Sequence, residues 1–320
     1  MAGTAKRVTV FGGSGFVGRY LVKRLAAEGW VVRVAVRDTI AAAFLKPAGN
    51  VGQIVPMRCN VLDDNAVAAA CAGTDAVVNL VGILHEFGRQ RFDPVHAEAP
   101  ARIGRAAAAA GVGRYIHVSA IGADAGSLAR YARSKAAGEA GARAAFPRVT
   151  VVRPSIVVGP EDDFFNRFAR MAQLAPCLPV IGGGRTRFQP VYVGDLADGL
   201  MAALRDPATA GRTYELGGPR VYTFRELMDL MLKVIGRSRK PVANIPFGLA
   251  EMVGTVTQLI PFSPLTRDQV LLLETGDNVV AAGALSFADL GIEPQAIEAI
   301  LPTYLDIYRP GGRFAASRVA

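Results

Sequence analysis

Through the first half of the chain, short apolar runs alternate with stretches whose apolar residues recur every three or four positions. The runs predict strands: one from Val8 to Phe11, a second at Val31–Val36, a third just before Asn60, a fourth at Ala76–Leu80, a fifth at Tyr115–Val118 and a sixth at Val149–Val152. Between them the three-to-four periodicity predicts helices, the first with Tyr20, Leu21, Leu25 and Ala26 inward, then 64–72 and the alanine-rich 95–110. Strands alternating with helices imply right-handed crossovers and a parallel, doubly wound α/β sheet. After Arg153-Pro154 the pattern loosens. Prolines and glycines crowd 176–190, and strand–helix pieces follow at 191–205 and 213–236. The expected organisation is a nucleotide domain over 1–160 and a smaller mixed lobe over 161–320, with 190–220 returning to the sheet.

Between Lys240 and Arg267 the only charge is Glu251, but Pro241, Pro246, Pro261 and Pro264 interrupt the run. A membrane-spanning helix needs about 20 unbroken apolar residues, so this segment does not span. Leu249, Met252, Val253, Val256, Leu259 and Ile260 share one helical face, with Glu251, Gly254, Thr255 and Gln258 opposite. The polar face has no Lys or Arg for independent lipid binding. Two readings stand: a helix packed on its own core, or one docked on a partner or membrane surface.

Composition narrows the class. Hydrophobic residues make up 51% and charged residues 20%, a globular balance. The net charge of +9 comes from 36 basic against 27 acidic residues, and only six of the basic ones are Lys. No basic run is interleaved with aromatics, which argues against nucleic acid and leaves an anionic cofactor or an acidic surface as the match for the charge. Cys59, Cys71 and Cys177 form no CxxC, and His85, His96 and His117 have no metal spacing, so no metal site is expected. With a first strand starting near residue 8, neither a secretory signal nor an organellar transit peptide is expected, and the expected location is cytoplasmic.

The chemistry begins at the first strand's end. Gly12, Gly13, Ser14, Gly15, Phe16, Val17 and Gly18 form a glycine-rich turn running into a helix, the order in which a dinucleotide pyrophosphate is held by backbone N–H groups and a helix N-terminus. Gly13-x-Gly15-x-x-Gly18 and Gly12-x-x-Gly15-x-x-Gly18 both fit. Arg37, nineteen residues after Gly18, ends the second strand, where a guanidinium would meet the 2′-phosphate of NADP. Asp38 beside it could serve the 2′-hydroxyl of NAD instead. The expected ligand is NADP(H), as NADPH. Asn60, Val61 and Asp63 could border the adenine, and Leu80, Val81 and Gly82 form a small-residue turn suited to a ribose. Tyr131 and Lys135 lie one helical turn apart on the same face. There an ammonium can lower the phenol's pKa and hold ribose hydroxyls. Ser119, at the fifth strand's end, could polarise a carbonyl.

Together these residues resemble the short-chain dehydrogenase/reductase superfamily in its extended and atypical branches, with a Rossmann-like fold. The matching positions are Gly12, Gly15 and Gly18, Ser119, Tyr131 and Lys135, and the run Arg153, Pro154, Ser155, Ile156, Val157. The likeness continues through 191–195 and 214–218. By that resemblance Pro154, Ser155 and Ile156 join the cofactor residues, and Ser119, Tyr131 and Lys135 would be catalytic in an active member. Residues 10–20, 131–139, 188–193 and the apolar 247–260 look like the NADPH-binding accessory subunits of respiratory complex I, NADH:ubiquinone oxidoreductase. That resemblance implies complex I subunits as partners and a mainly structural cofactor. It also implies a peripheral place on the cytoplasmic side of a bacterial inner membrane. The departures fall in the substrate half. Phe188 stands where sugar-nucleotide epimerases often carry an Arg, with Arg185 and Arg187 just upstream, and the epimerase-like Asn after the sixth strand is missing. An active NADP-dependent reductase, epimerase or dehydratase remains the alternative.

Overall fold

Strand β1 (Arg7–Phe11) buries Val8, Thr9, Val10 and Phe11 without alternation, the pattern of a strand covered on both faces. In the computed structural model, which describes residues 6–86, 88, 90–257 and 266–312, it lies in a seven-stranded sheet. Its companions are β2 (Val31–Val36), β3 (Ile54–Arg58), β4 (Ala76–Asn79), β5 (Arg114–Val118), β6 (Thr150–Pro154) and β7 (Thr213–Leu216). The spatial order is β3-β2-β1-β4-β5-β6-β7 and every neighbouring pair is parallel. The order reverses direction between β1 and β4, which opens a crevice at the carboxyl ends of those strands. The longer helices are α1 (Phe16–Ala27), α2 (Asp64–Cys71), α3 (Ala99–Ala109), α4 (Arg130–Ala145), α5 (Phe164–Leu174), α6 (Val193–Arg205), α7 (Phe224–Val234), α8 (Phe247–Thr257) and α9 (Arg267–Thr275).

The chain divides into two units. The first comprises residues 1–154, 194–216 and 281–292 and holds the whole sheet. Its boundary falls six residues earlier than the sequence pattern suggests. Nothing in that pattern marks 281–292, where Ala281 N–H donates to Glu215 and Leu285 bridges to Tyr214. One core packs Phe11, Ile103, Tyr115, Ala142 and Val151 between the sheet and α3 and α4. Helix α6 is tied to α1 through Arg24 to Asp198 at 2.7 Å and through Arg205 to Glu28.

The second unit comprises 155–193, 217–280 and 293–320. Its core gathers Phe165, Leu178, Leu227, Met231, Leu301 and Leu305. Helix α7 starts in a capping box: Glu226 N–H donates to Thr223 Oγ1 at 3.1 Å and Thr223 N–H to the Glu226 carboxylate at 2.7 Å. Buried Asp162 accepts N–H bonds from Gly159, Phe165 and Asn166 and the hydroxyl of Tyr304. In α8, Ala250 is buried while Leu249, Met252 and Val253 are exposed. Leu259 and Ile260 lie outside the described residues, as does the side chain of Val256. Among the described residues no helix is long and apolar enough to cross a membrane.

Candidate functional site

Six of the sequence-predicted segments meet the carboxyl ends of the sheet strands in the first unit: the glycine turn after β1, Arg37 after β2, Asn60 after β3, Leu80–Gly82 after β4, Ser119 after β5 and Pro154 at the end of β6. The glycine turn is sterically constrained at several positions. Gly12 has φ +76°, a left-handed conformation that side chains avoid, and its N–H donates to Ala35 O. Gly18 lies so close to the turn that a Cβ would stand 2.6 Å from Gly12 O and from Gly13. Gly15 caps α1 with no side-chain partner for the helix N–H groups and no acidic residue in the first turn. Gly12 and Gly18 therefore have the clearest steric basis; a Cβ on Gly13 would also crowd Val34, at 3.0 Å, so both phasings keep a structural reason. Ser14, Phe16 and Val17 fill out the turn, half-buried at the helix start.

At the end of β2 the two candidates separate. Asp38 Oδ1 accepts N–H bonds from Ile40 at 2.9 Å and Ala41 at 3.0 Å, closing the turn after the strand. Arg37 is exposed and makes no hydrogen bond or ion pair among the described residues. After β3, Asn60 Oδ1 accepts from Leu62 N–H, Val61 is half-buried, and Asp63 caps α2 through Asn65 and Ala66 N–H. Asp63 thus has a structural task.

Tyr131 and Lys135 lie on α4, with the Lys135 ammonium 5.8 Å from the centre of the Tyr131 ring. Lys135 is 5% exposed and has no hydrogen bond among the described residues. Burial lowers its pKa to about 8, and Glu139 acts in the opposite direction. Glu139 is already engaged: Arg153 donates to both its oxygens, at 2.9 and 2.7 Å, and to Glu215 at 3.2 Å. Two further buried groups lie in β5 and just past its end: among the described residues His117 Nε2 and the Ser119 hydroxyl have no hydrogen-bond partner. His117 Nδ1 faces the Asn79 amide at 3.2 Å, and Asn79 Oδ1 accepts from Val81 N–H, which fixes the turn after β4. Burial, then Lys135 and Arg143, lowers the His117 pKa to about 3.

Sequence reasoning missed His96. It sits in a π-helical turn, Asp93–Glu98, that leads into α3, and it is 1% exposed. Its Nε2 accepts from Ile83 N–H at 2.9 Å and its Nδ1 lies 3.1 Å from Ser134 Oγ. Burial, then Lys135 and His117, holds its pKa down at about 2. The one signal available was Gly138, a glycine inside α4 three residues after Lys135. A Cβ there would run into the His96 carbonyl oxygen.

Pro154 O accepts from Ile121 N–H and closes the first unit. Ser155 and Ile156 open the second, where the Ser155 hydroxyl is 2.7 Å from Asn278 Oδ1 and Ile156 N–H donates to the same oxygen at 2.9 Å. Phe188 is buried in the second core, and Arg187 pairs with Asp277 at 2.7 Å. Among the described residues no cluster of three metal-ligating side chains occurs. The first unit fits a dinucleotide: an uncapped helix start with glycines where backbone must approach a pyrophosphate, and buried Lys135 and Ser119 groups that make no side-chain hydrogen bond among the described residues.

The chain is similar to known proteins along most of its length. The sequence profile described as "NAD dependent epimerase/dehydratase family" matches residues 8–217. The chain is 36% identical to the Arabidopsis thaliana NADH dehydrogenase [ubiquinone] 1 alpha subcomplex subunit 9, mitochondrial, over 98% of this chain and 80% of that protein. It is 32% identical to a Caulobacter vibrioides ceramide reductase over 72% of this chain and 70% of that one. Among solved structures, the dTDP-glucose 4,6-dehydratase DesIV of Streptomyces venezuelae, with NAD and TYD bound, superposes with a TM-score of 0.71 at 23% identity, covering 93% of this chain and 95% of that chain. The last likeness shows the fold.

Proposed function

The chain belongs to the NAD dependent epimerase/dehydratase family, and we propose that within it this protein is an NADP(H)-binding accessory subunit of respiratory complex I, with the nucleotide held mainly as a structural element. The observation that carries this reading is the extent of the likeness to a NADH dehydrogenase subunit, which runs through nearly the whole chain and includes the second unit. The matched reductase leaves more than a quarter of the chain uncovered. A ligand bound only by the folded state stabilises it by RT ln(1+[L]/Kd), about 4 kcal/mol at a thousandfold excess over Kd, without turnover. NADPH over NADH is supported by Arg37, which is free, and Asp38, whose carboxylate already closes a turn. The exposed apolar residues of α8 support docking on a subunit close to the membrane, on the cytoplasmic side if the host is a bacterium. The test is purification of the native protein in mild detergent, with identification of the co-purifying proteins and of the bound nucleotide. Recovery with complex I subunits and NADPH is expected; recovery free of them refutes the assignment.

A second reading, an active NADP-dependent reductase, epimerase or dehydratase, is favoured by the buried Ser119 hydroxyl, which has no hydrogen-bond partner among the described residues. A bound nicotinamide supplies a hydride donor or acceptor. In that reading Tyr131 moves a proton, Lys135 lowers the phenol's pKa, and Ser119 donates to a substrate oxygen. Turnover with a nicotinamide cofactor that Tyr131→Phe abolishes would establish it. The structural reading expects Tyr131→Phe to leave nucleotide affinity and assembly unchanged.

A further inference from the structure

We propose that His96 is a positioning residue of the nucleotide site: as a neutral imidazole with its proton on Nδ1, it ties the turn after β4 to α4 and so sets Gly82 against Lys135. The inference rests on the nucleotide reading given above. Its starting point is the hydrogen-bond polarity around one ring. Ile83 N–H is a backbone donor, so His96 Nε2, 2.9 Å away, must be the acceptor and carry no proton. On the other side Ser134 donates its own proton to Tyr131 O at 2.8 Å, leaving Oγ as an acceptor for His96 Nδ1–H at 3.1 Å. Both nitrogens are thereby assigned by their neighbours. A second proton on the ring would set one N–H against another.

The packing makes the ring a fixed post. Phe92 stacks on it at 5.4 Å and 18°, and Tyr131 meets it edge-on at 5.4 Å. Its backbone carbonyl touches α4 at Gly138. Lys135 and His117 are the titratable groups that act on it, and both disfavour a positive charge there. On the far side, a Cβ built on Gly82 would stand 3.4 Å from Lys135 Nζ and 3.6 Å from His96 Nε2. Three elements therefore converge on His96: the turn after β4, the turn before α3, and α4. Glu139 is held by Arg153, and among the described residues no carboxylate forms an ion pair with the Lys135 ammonium. The imidazole fixes where that ammonium stands relative to the backbone of Gly82, the place at which a ribose would enter.

The test uses the full-length protein and NADPH. Nitrogen-15 spectra of the imidazoles at pH 7, with His96 identified by the signal lost in His96→Gln, should show the Nδ1–H tautomer. His96→Leu removes both hydrogen bonds and should weaken NADPH binding at least tenfold by calorimetry. His96→Gln keeps an acceptor and a donor on one planar group and should recover affinity to within about threefold of wild type, a rescue that simple space-filling by Leu does not give. A proton on Nε2 overturns the proposal and needs no folded variant. Folded His96→Leu protein with wild-type affinity also overturns it, leaving the nucleotide site intact. Wild-type protein that binds neither NADPH nor NADH refutes the nucleotide reading itself, and this role for His96 falls with it.

Discussion

Arg37 and Asp38 are neighbours at the end of β2, and the backbone already uses one of them. Asp38 closes its turn, and the proposed NADP(H) reading assigns the 2′-phosphate to the Arg37 guanidinium. Arg37→Ala should therefore cost about 1.5–3 kcal/mol of NADPH affinity, the scale of a charge-assisted phosphate contact, and leave NADH affinity unchanged. Equal wild-type affinities for the two nucleotides in calorimetric titration would refute this. The buried imidazoles make a different prediction. His96 and His117 have folded pKa values lowered to about 2 and about 3, so below pH 6.5 the unfolded chain binds protons that the folded one refuses. Their contribution to stability is full above pH 6.5 and falls as pH drops toward those folded values. Each contributes a slope of about 1.4 kcal/mol per pH unit over that window. Urea unfolding of His96→Gln between pH 6.5 and 4 should show a slope shallower than wild type by about that amount. At this scale residue type and spacing made legible the constrained turn at Gly12 and Gly18 and the placement of Tyr131 and Lys135 one turn apart on α4. The sequence was illegible at His96, whose task depends on a backbone N–H thirteen residues earlier and a hydroxyl on another helix.

Among the elements, α4 carries more of the site than any other, since Tyr131, Ser134, Lys135 and Glu139 all project from it. Its approach to the turn before α3 depends on Gly138. In a solvated helix Gly→Ala stabilises by about 1 kcal/mol. Here the added methyl would enter the His96 carbonyl, so Gly138→Ala should destabilise by about 1–3 kcal/mol and weaken NADPH binding as Lys135 shifts. A gain in urea stability would show that the helix is not held that close. The elements themselves were largely evident in the apolar pattern. Val31–Val36 emerges with the bounds expected, and the other strands for which bounds were expected, with α2, within one or two residues, because continuous burial in a parallel sheet leaves little ambiguity. Beyond β6 the pattern thinned for a physical reason. Strands of two residues, such as Val157–Val158 with Val191–Tyr192, are too short to show a period, and 281–292 joins the first unit through backbone bonds that leave no apolar signature.

For the molecule as a whole, the decisive question is whether it works alone or as part of a larger assembly, and α8 is where the two answers differ. Its exposed face presents Leu249, Met252 and Val253, of which Met252 is the most exposed at 65%. In a protein working alone, a charge at Met252 would be solvated and nearly neutral, within about 0.5 kcal/mol. If that face is covered by a subunit of complex I, the same carboxylate is desolvated without a partner, at a cost of several kcal/mol. Met252→Asp thus separates docking from folding more cleanly than a substitution at a core position. Melting temperature and NADPH affinity should match wild type, while co-migration with complex I on native gels should be lost. A variant that still co-migrates shows that the face is not in the contact, even if the partner assignment stands. Wild-type protein that never co-migrates removes the partner, and the Tyr131, Lys135 and Ser119 constellation then becomes the stronger guide to what the chain does.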